Sequence, residues 1–420
     1  MSGRSPVWHP FTQHAVQPDA IAIASAEGAW LEAVGGRRIL DAISSWWVVT
    51  HGHRHPAIVA ALKAQADRLD QVIFAGFTHE PAERLAEALI GLAPGKLEHV
   101  FFSDSGSTAV EVAMKMALGV WRNRGMPRTT IAAFEHGYHG DTTGAMSAGA
   151  RGVFTQAYEP MLFDVQRIPF PVRGREQATI DAVDALCRTG RCAALIVEPL
   201  ILGAGGMLAY EPWVLRALRE TTARADVLLI ADEVMTGWGR TGKLFACEHA
   251  GVAPDMLCTA KGITGGTLPL AATLATAEVF AAHYSKDRTR TFFHSSSYTA
   301  NPICCAAALA NVEVWRTEPV AERIARLCML QEERVGRLSH VPRLSRPRRV
   351  GTITAVDVEV SDGGYLAGLG PELYRRFIAQ GVLLRPLGNT IYVMPPYCVT
   401  AADLDLVYDA IEQTVREVSA

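Results

Sequence analysis

The 420-residue sequence has no apolar run as long as a bilayer is thick, which excludes a helical membrane span. Its first residues, Met-Ser-Gly-Arg-Ser-Pro-Val-Trp-His-Pro, lack the basic and then apolar stretch of a secretory signal, so a cytoplasmic protein is expected. Cysteine is sparse. The 8 cysteines are scattered without a C-x-x-C pair, which fits reduced thiols rather than a disulfide scaffold or a zinc site. Basic charge is not in excess either: a formal net charge of −3 offers no footprint for nucleic acid or an anionic membrane. Low-complexity tracts and internal repeats are absent. With 49% hydrophobic and 20% charged residues, what remains is a globular chain with a large core, long enough for two domains.

Amphipathic segments alternate with short apolar runs bounded by Gly and Pro, the pattern of an α/β protein with a mainly parallel sheet. Residues 99–103, 130–134, 193–198, 227–232 and 255–259 read as strands, each followed by polar or Gly-rich sequence, as expected where strand ends line a crevice. A helix near 306–315 leads toward a smaller domain. That domain is expected to hold strands at 351–358 and 390–394 and a final helix from Ala401. The first fifty residues, rich in Trp and Gly, have hairpin patterning and are expected to pack with the C-terminal part. The expected division is a segment 1–50, a large domain 51–315 and a small domain 316–420.

Two residues point to chemistry. Asp232 ends the apolar run VLLIAD, and Lys261 lies among small residues in TAKGITGG. A carboxylate that keeps a pyridine nitrogen protonated and a lysine that an aldehyde can reach are what pyridoxal phosphate requires. A phosphate site is available in SDSGST at 103–108, where hydroxylated residues lead into a strong helix former and unpaired amides would face an anion. An ordinary serine N-cap has the same appearance. Tyr138, in EHGYHGD, follows another strand. It is either a ring stacked on a cofactor, with Asp141 orienting nearby groups, or a half-buried tyrosine in a Gly-rich turn.

Three other motifs compete. GWGRTGK at 237–243 matches seven places of a phosphate-binding P-loop, but Leu244 replaces the hydroxyl that binds magnesium, and Asp232-Glu233 would repel a triphosphate. HGHRHP at 51–56 has alternating histidines, yet Arg54 and Pro56 favour a turn and no acidic or thiol residue is adjacent, so a polar loop is expected and no metal. The run Arg343, Arg346, Arg348 and Arg349, broken by Pro347 and without interleaved aromatics, reads as a solvated linker.

Taken in order, SGSTAVE at 105–111, GYHG at 137–140, Glu198-Pro199, DEVMTGWGRTG at 232–242 and Lys261-Gly262 resemble the class III aminotransferases over almost the whole chain. The resemblance implies a fold type I pyridoxal phosphate transferase, with a large domain around a mainly parallel sheet and a smaller α+β domain. It also implies a homodimer with shared active sites. Lys261 would carry the cofactor and move a proton between substrate and cofactor in a ping-pong reaction, and Asp232 would hold the ring nitrogen protonated. Gly106 and Ser107 would anchor the phosphate, Ser296 and Ser297 from a partner subunit would complete its cup, and Tyr138 would line ring and substrate.

Within the class, WHPFT at 8–12, SSWW at 44–47, His51-Gly52, MKMA at 114–117, GAGGM at 203–207, GKLFACE at 242–248 and YVMPPY at 392–397 resemble one branch. Its members convert 8-amino-7-oxononanoate to 7,8-diaminononanoate in biotin biosynthesis, with S-adenosylmethionine as the expected donor and lysine as the alternative. Another class III aminotransferase acting on an ω-amino acid is the rival reading. By the same resemblance Arg385 would bind the substrate carboxylate, and Trp46 and Trp47 would wall its alkyl chain, although Trp47 reads equally as core. Ser295 and Tyr392 would face the same pocket. Phe11 stands where many members carry tyrosine, Leu202 where relatives carry glutamine, and Ser295 to Ser297 where others have Gly-Pro-Thr. These departures bear on affinity and donor preference.

Overall fold

The computed structural model describes residues 5–17, 20–360 and 368–418. Met1 to Arg4, the start of the N-terminal stretch read above, lie outside them. The architecture is α/β around a seven-stranded sheet in the order Leu97–Ser103, Ala271–Thr276, Met256–Thr259, Leu228–Asp232, Cys192–Val197, Thr130–Phe134, Gln166–Ile168. Neighbours are parallel except at Ala271–Thr276, which runs antiparallel to both of its partners. Cys192–Val197 and Leu228–Asp232 are buried at every position. Helices cover both faces there, so an unbroken apolar run replaces the alternation of a one-sided sheet.

The expected strands of the large sheet are all present. Two strands are additional. Gln166–Ile168 is a short edge, and the run AATLAT of Ala271–Thr276 has too few β-branched or aromatic side chains to announce itself. Across one face lies the helix Gly106–Asn123. Ser105 caps it in a reciprocal box: its Oγ accepts from the Thr108 amide at 3.3 Å, and Thr108 Oγ1 accepts from the Ser105 amide at 3.0 Å.

Two smaller sheets complete the molecule. Ile23–Glu27, Trp30–Ala33 and Arg38–Asp41 form a meander to which Val382–Leu383 adds in parallel, so the N-terminal segment shares a sheet with the C-terminal region. Leu344–Val350, Ile353–Val358 and Thr390–Val393 form an antiparallel sheet backed by the helices Val320–Leu338 and Ala401–Val418. One buried cluster, with Leu40, Trp47, Tyr392 and Tyr408 among its members, runs through both sheets. The arginine run is therefore not a linker. Apart from Arg343 it lies in the strand Leu344–Val350, bulged between Ser345 and Arg348, and Arg346 and Arg348 both pair with the buried Asp357. A buried carboxylate across the hairpin gives those charges a partner that local composition does not reveal.

The helix Pro302–Thr317, capped by Asn301, packs on Pro56–Ala66 and Glu80–Leu92 before the chain turns into Val320–Leu338. What positions the site is the sheet. Ser103, Phe134, Val197, Asp232 and Thr259 each end a parallel strand, and the loops that follow them meet at that edge.

Candidate active site

Those loops enclose a cavity of about 460 Å³ lined by Gly106, Ser107, Tyr138, Asp232 and Lys261, with Trp47 as one wall. Asp232, 4% exposed, is held on both oxygens. Its Oδ1 accepts from the Val234 amide at 3.1 Å, and its Oδ2 lies 2.7 Å from His139 Nδ1, which must donate because a carboxylate only accepts. The carboxylate is thus oriented before any ligand arrives.

Lys261 opens a short 3-10 turn, Lys261–Thr264, directly after the strand Met256–Thr259. Its φ of 47° lies in the left-handed region that a side chain makes costly, and such strain is often kept where a reactive group has to be aimed. The ammonium stands 5.4 Å from the centre of the Trp47 ring. Burial pulls its pKa below the usual lysine value, against the opposing pull of Asp232 and Glu198. A lysine so placed reaches its neutral, nucleophilic form more readily.

At the other end of the cavity the helix Gly106–Asn123 begins. The amides of Gly106 and Ser107 have no acceptor within the helix and face outward from its N-terminus. A Cβ on Gly106 would lie 2.5 Å from Val234 Cγ1, and one on Gly140 would collide with Ser107 Oγ, so the cradle excludes side chains there. A flat anionic ring fits these parts. The oriented carboxylate suits a protonated ring nitrogen, the lysine an aldehyde, and the helix terminus a phosphate, so pyridoxal phosphate matches the residues present.

Tyr138 is half-buried and lines the cavity. Burial and the adjacent Asp141 push its phenol above the ordinary range, so it stays protonated. Glu198 fixes its backbone. Oε1 accepts from the Tyr138 amide and Oε2 from the Gly203 amide, each at 2.9 Å, and burial raises this carboxyl to about 7.

The aromatic wall has its own supports. Trp47, 5% exposed, donates from Nε1 to Tyr392 Oη at 2.9 Å, which places Tyr392 behind it. It therefore serves as core and as cavity wall at once. Ser44, Ser45 and Trp47 all have left-handed φ, and buried Asp41 holds the turn by accepting from the Ser45 amide and hydroxyl and from His53. Arg240 secures the other side, donating to the carbonyls of Trp47, Val49 and Pro395. The stretch resembling a P-loop is thus scaffolding, and Lys243 donates to the Glu248 carbonyl.

Phe11, Trp46 and Arg385 form a second group. The Phe11 and Trp46 rings are 5.7 Å apart, and Arg385 lies 5.3 Å from the Trp46 ring and donates to the Phe11 carbonyl at 3.2 Å. Among the described residues no carboxylate pairs with Arg385. Ser295, Ser296 and Ser297 are not brought into the cavity of their own chain. The Ser297 carbonyl accepts from Gln71, beside the exposed Ile73 and Phe77. Sequence reasoning missed His139, which sits inside the GYHG motif next to Tyr138, and assigned no role to Glu198 or Arg240. Their motifs were visible, but only the fold shows which carboxylate or carbonyl each one meets.

Residues 11–415 match the family model Aminotransferase class-III. A relative from Synechococcus elongatus, named adenosylmethionine-8-amino-7-oxononanoate aminotransferase, is 47% identical, covering 98% of this chain and 99% of its own. One of the same name from Geobacter sulfurreducens is 38% identical over 99% and 97%. Among solved structures, the adenosylmethionine-8-amino-7-oxononanoate aminotransferase of Methanocaldococcus jannaschii superposes with a TM-score of 0.93 at 32% identity, covering 98% of this chain and 97% of that one. A PLP-bound amine transaminase from an uncultivated Pseudomonas species gives 0.92 at 32% identity, over 99% and 100%.

Proposed function

The chain belongs to the class III aminotransferase family, and on that premise we propose that it moves an amino group from S-adenosylmethionine to the 7-oxo carbon of 8-amino-7-oxononanoate. The product would be 7,8-diaminononanoate, as in biotin biosynthesis. The observation that carries the chemistry is one cavity shared by Lys261, the oriented carboxylate of Asp232 and the helix terminus at Gly106 and Ser107. The substrate reading rests on end-to-end likeness to relatives of that name.

When bound, pyridoxal phosphate supplies an aldehyde that captures amines and a ring that takes up electrons as the C–H bond beside the nitrogen breaks. Asp232 keeps the proton on the ring nitrogen, and His139 keeps Asp232 in place. Lys261 Nζ, with its pKa lowered by burial, would take the proton from the amine-bearing substrate carbon and give it up at the cofactor's aldehyde carbon. The amides of Gly106 and Ser107 bind the phosphate, and Tyr138 and Trp47 fix the plane in which the amine arrives. Arg385, free of carboxylate partners among the described residues, binds the carboxylate of the nonanoate chain, with Trp46 and Phe11 along its methylenes. Ser295, outside the cavity of its own chain, would face the substrate pocket of a partner subunit, and Tyr392 supports the pocket from behind Trp47.

Ser296 and Ser297 would reach the phosphate of a partner subunit in a homodimer. Their position outside their own cavity, beside the exposed Phe293 and Tyr298, supports that reading. Cytoplasmic placement is part of the proposal and is supported by free thiols at all of the cysteines. The domain division at 50 and 315 is retained as a proposal. To test the activity, the visible band of the holoenzyme is followed on mixing. Bleaching by S-adenosylmethionine and recovery with 8-amino-7-oxononanoate is the expected result. Bleaching by ornithine or 4-aminobutyrate alone would make it a different class III aminotransferase.

A further inference from the structure

The histidine stretch at 51–55, expected from the sequence to be a polar loop, has a specific target. Its three imidazoles diverge: His53 goes to Asp41, His55 to Glu318, and His51 Nε2 to Asn311 Oδ1 at 2.9 Å. Asn311 is fully buried in the helix Pro302–Thr317, among the buried Cys305, Ala307, Ala308, Val312 and Val314. From there its Nδ2 donates to the carbonyls of Gly262 and Ile263, both at 3.0 Å. Those are the residues that follow Lys261.

The network fixes every proton. Two carbonyls can only accept, so the amide nitrogen must face them and Oδ1 must face His51, which therefore donates from Nε2. His51 Nδ1 is then a bare acceptor, buried and without a partner, so the ring has one tautomer and is neutral. Trp315, Tyr397 and His55 stand edge-on around it and hold its plane. Gly265 leaves room for the arrangement, because a Cβ there would come within 3.3 Å of Asn311 Oδ1.

We propose that Asn311, oriented by His51, is the positioning residue that holds the strained Lys261 turn so that Nζ faces the cavity. Lys261 has a left-handed φ, and a turn of that kind relaxes unless its neighbours are pinned. Asn311 pins the next two carbonyls from behind, without touching substrate or cofactor. The inference rests on the role of Lys261 proposed above.

The test uses the holoenzyme of Asn311→Asp, His51→Phe and His51→Gln, with Lys261→Ala as reference. Borohydride reduction and peptide mass spectrometry locate the lysine that carries the cofactor, the pH midpoint of the visible band reports the setting of that lysine, and steady-state kinetics separate kcat from KM. Asn311→Asp turns a donor toward two carbonyls into an acceptor, and His51→Phe removes the donor that orients Asn311. Both are expected to lower kcat by about tenfold or more with each KM within about threefold, and to move the midpoint by about half a pH unit. His51→Gln, which can donate again, is expected to recover most of both. Normal kcat and midpoint in Asn311→Asp and His51→Phe would overturn the proposal. So would a fall in kcat explained by lost folded protein with the midpoint unchanged. If Asn311→Asp fails to fold, the contrast between His51→Phe and His51→Gln decides. Label on a lysine other than Lys261 would instead overturn the underlying reading, and the two failures are thereby distinguished.

Discussion

Gly106 has no room for a side chain, and that makes it the sharpest single-residue probe of the cradle. A methyl group there meets Val234 Cγ1 at 2.5 Å, and relieving it displaces either the helix terminus or the wall under the ring. Overpacking of this kind costs about 1–3 kcal/mol, so Gly106→Ala is expected to weaken pyridoxal phosphate binding by roughly ten- to a hundredfold, read by equilibrium dialysis. Unchanged affinity would place the phosphate elsewhere. Lys261→Ala is expected to abolish turnover while leaving the far-UV circular dichroism unchanged. Normal turnover in that variant would remove the lysine from the mechanism. Among the described residues Arg385 donates to the Phe11 carbonyl and pairs with no carboxylate, so Arg385→Ala should raise KM for 8-amino-7-oxononanoate by about ten- to a hundredfold and leave the donor KM nearly unchanged. Equal changes for both substrates would mean that it binds neither carboxylate selectively. At this scale Asp232 and Lys261 were legible from sequence because their chemistry is rare and their flanks are distinctive. His139 was not, because its role depends on the carboxylate it meets across the sheet.

Among elements, the strands that end in site residues were the legible ones. Their runs are apolar on both faces and stop at polar or glycine-rich sequence, and those are the two signals a covered parallel strand emits. Ala271–Thr276 was silent, since alanine and threonine fit helix and strand alike, and only its antiparallel pairing with Met256–Thr259 and Leu97–Ser103 defines it. The loop His51–His55 looks like a polar turn in the sequence for a related reason: two of its three histidines meet partners far along the chain, Asn311 and Glu318. That loop carries a pH signature. Burial pulls His51 from 6.5 to about 4, opposed by Asn311 and Glu318 and reinforced by His55 and Arg323, with Tyr397 packed against the ring. In the unfolded chain the imidazole takes its proton near 6.5, whereas in the fold it does so only near 4, so the fold loses stability as pH falls between those values. The stability advantage of the parent chain over His51→Phe is therefore expected to shrink by roughly 3 kcal/mol from pH 7 to pH 4 in urea titrations. Parallel pH profiles for the two proteins would contradict this.

For the whole molecule, two parts of the chain remote in sequence build one site. The meander of the first fifty residues and the C-terminal sheet share a core, and that core supports Trp47 from behind through Tyr392. Exposed Ile73, Phe77, Phe293 and Tyr298, 63% to 72% accessible, are more apolar surface than solvent contact alone explains. A dimer of about twice 45.4 kDa is expected by light scattering, and a monomer would leave Ser296 and Ser297 with no cofactor to reach. Amination of the 7-oxo carbon of a nonanoate chain is the reaction proposed for this site. It is tested most directly by mass spectrometry of the products formed by the holoenzyme from S-adenosylmethionine and 8-amino-7-oxononanoate. The expected product is 7,8-diaminononanoate, one molecule for each donor consumed and none with Lys261→Ala. Absence of the diamine with either S-adenosylmethionine or lysine as donor, while an ω-amino acid is turned over, would contradict it.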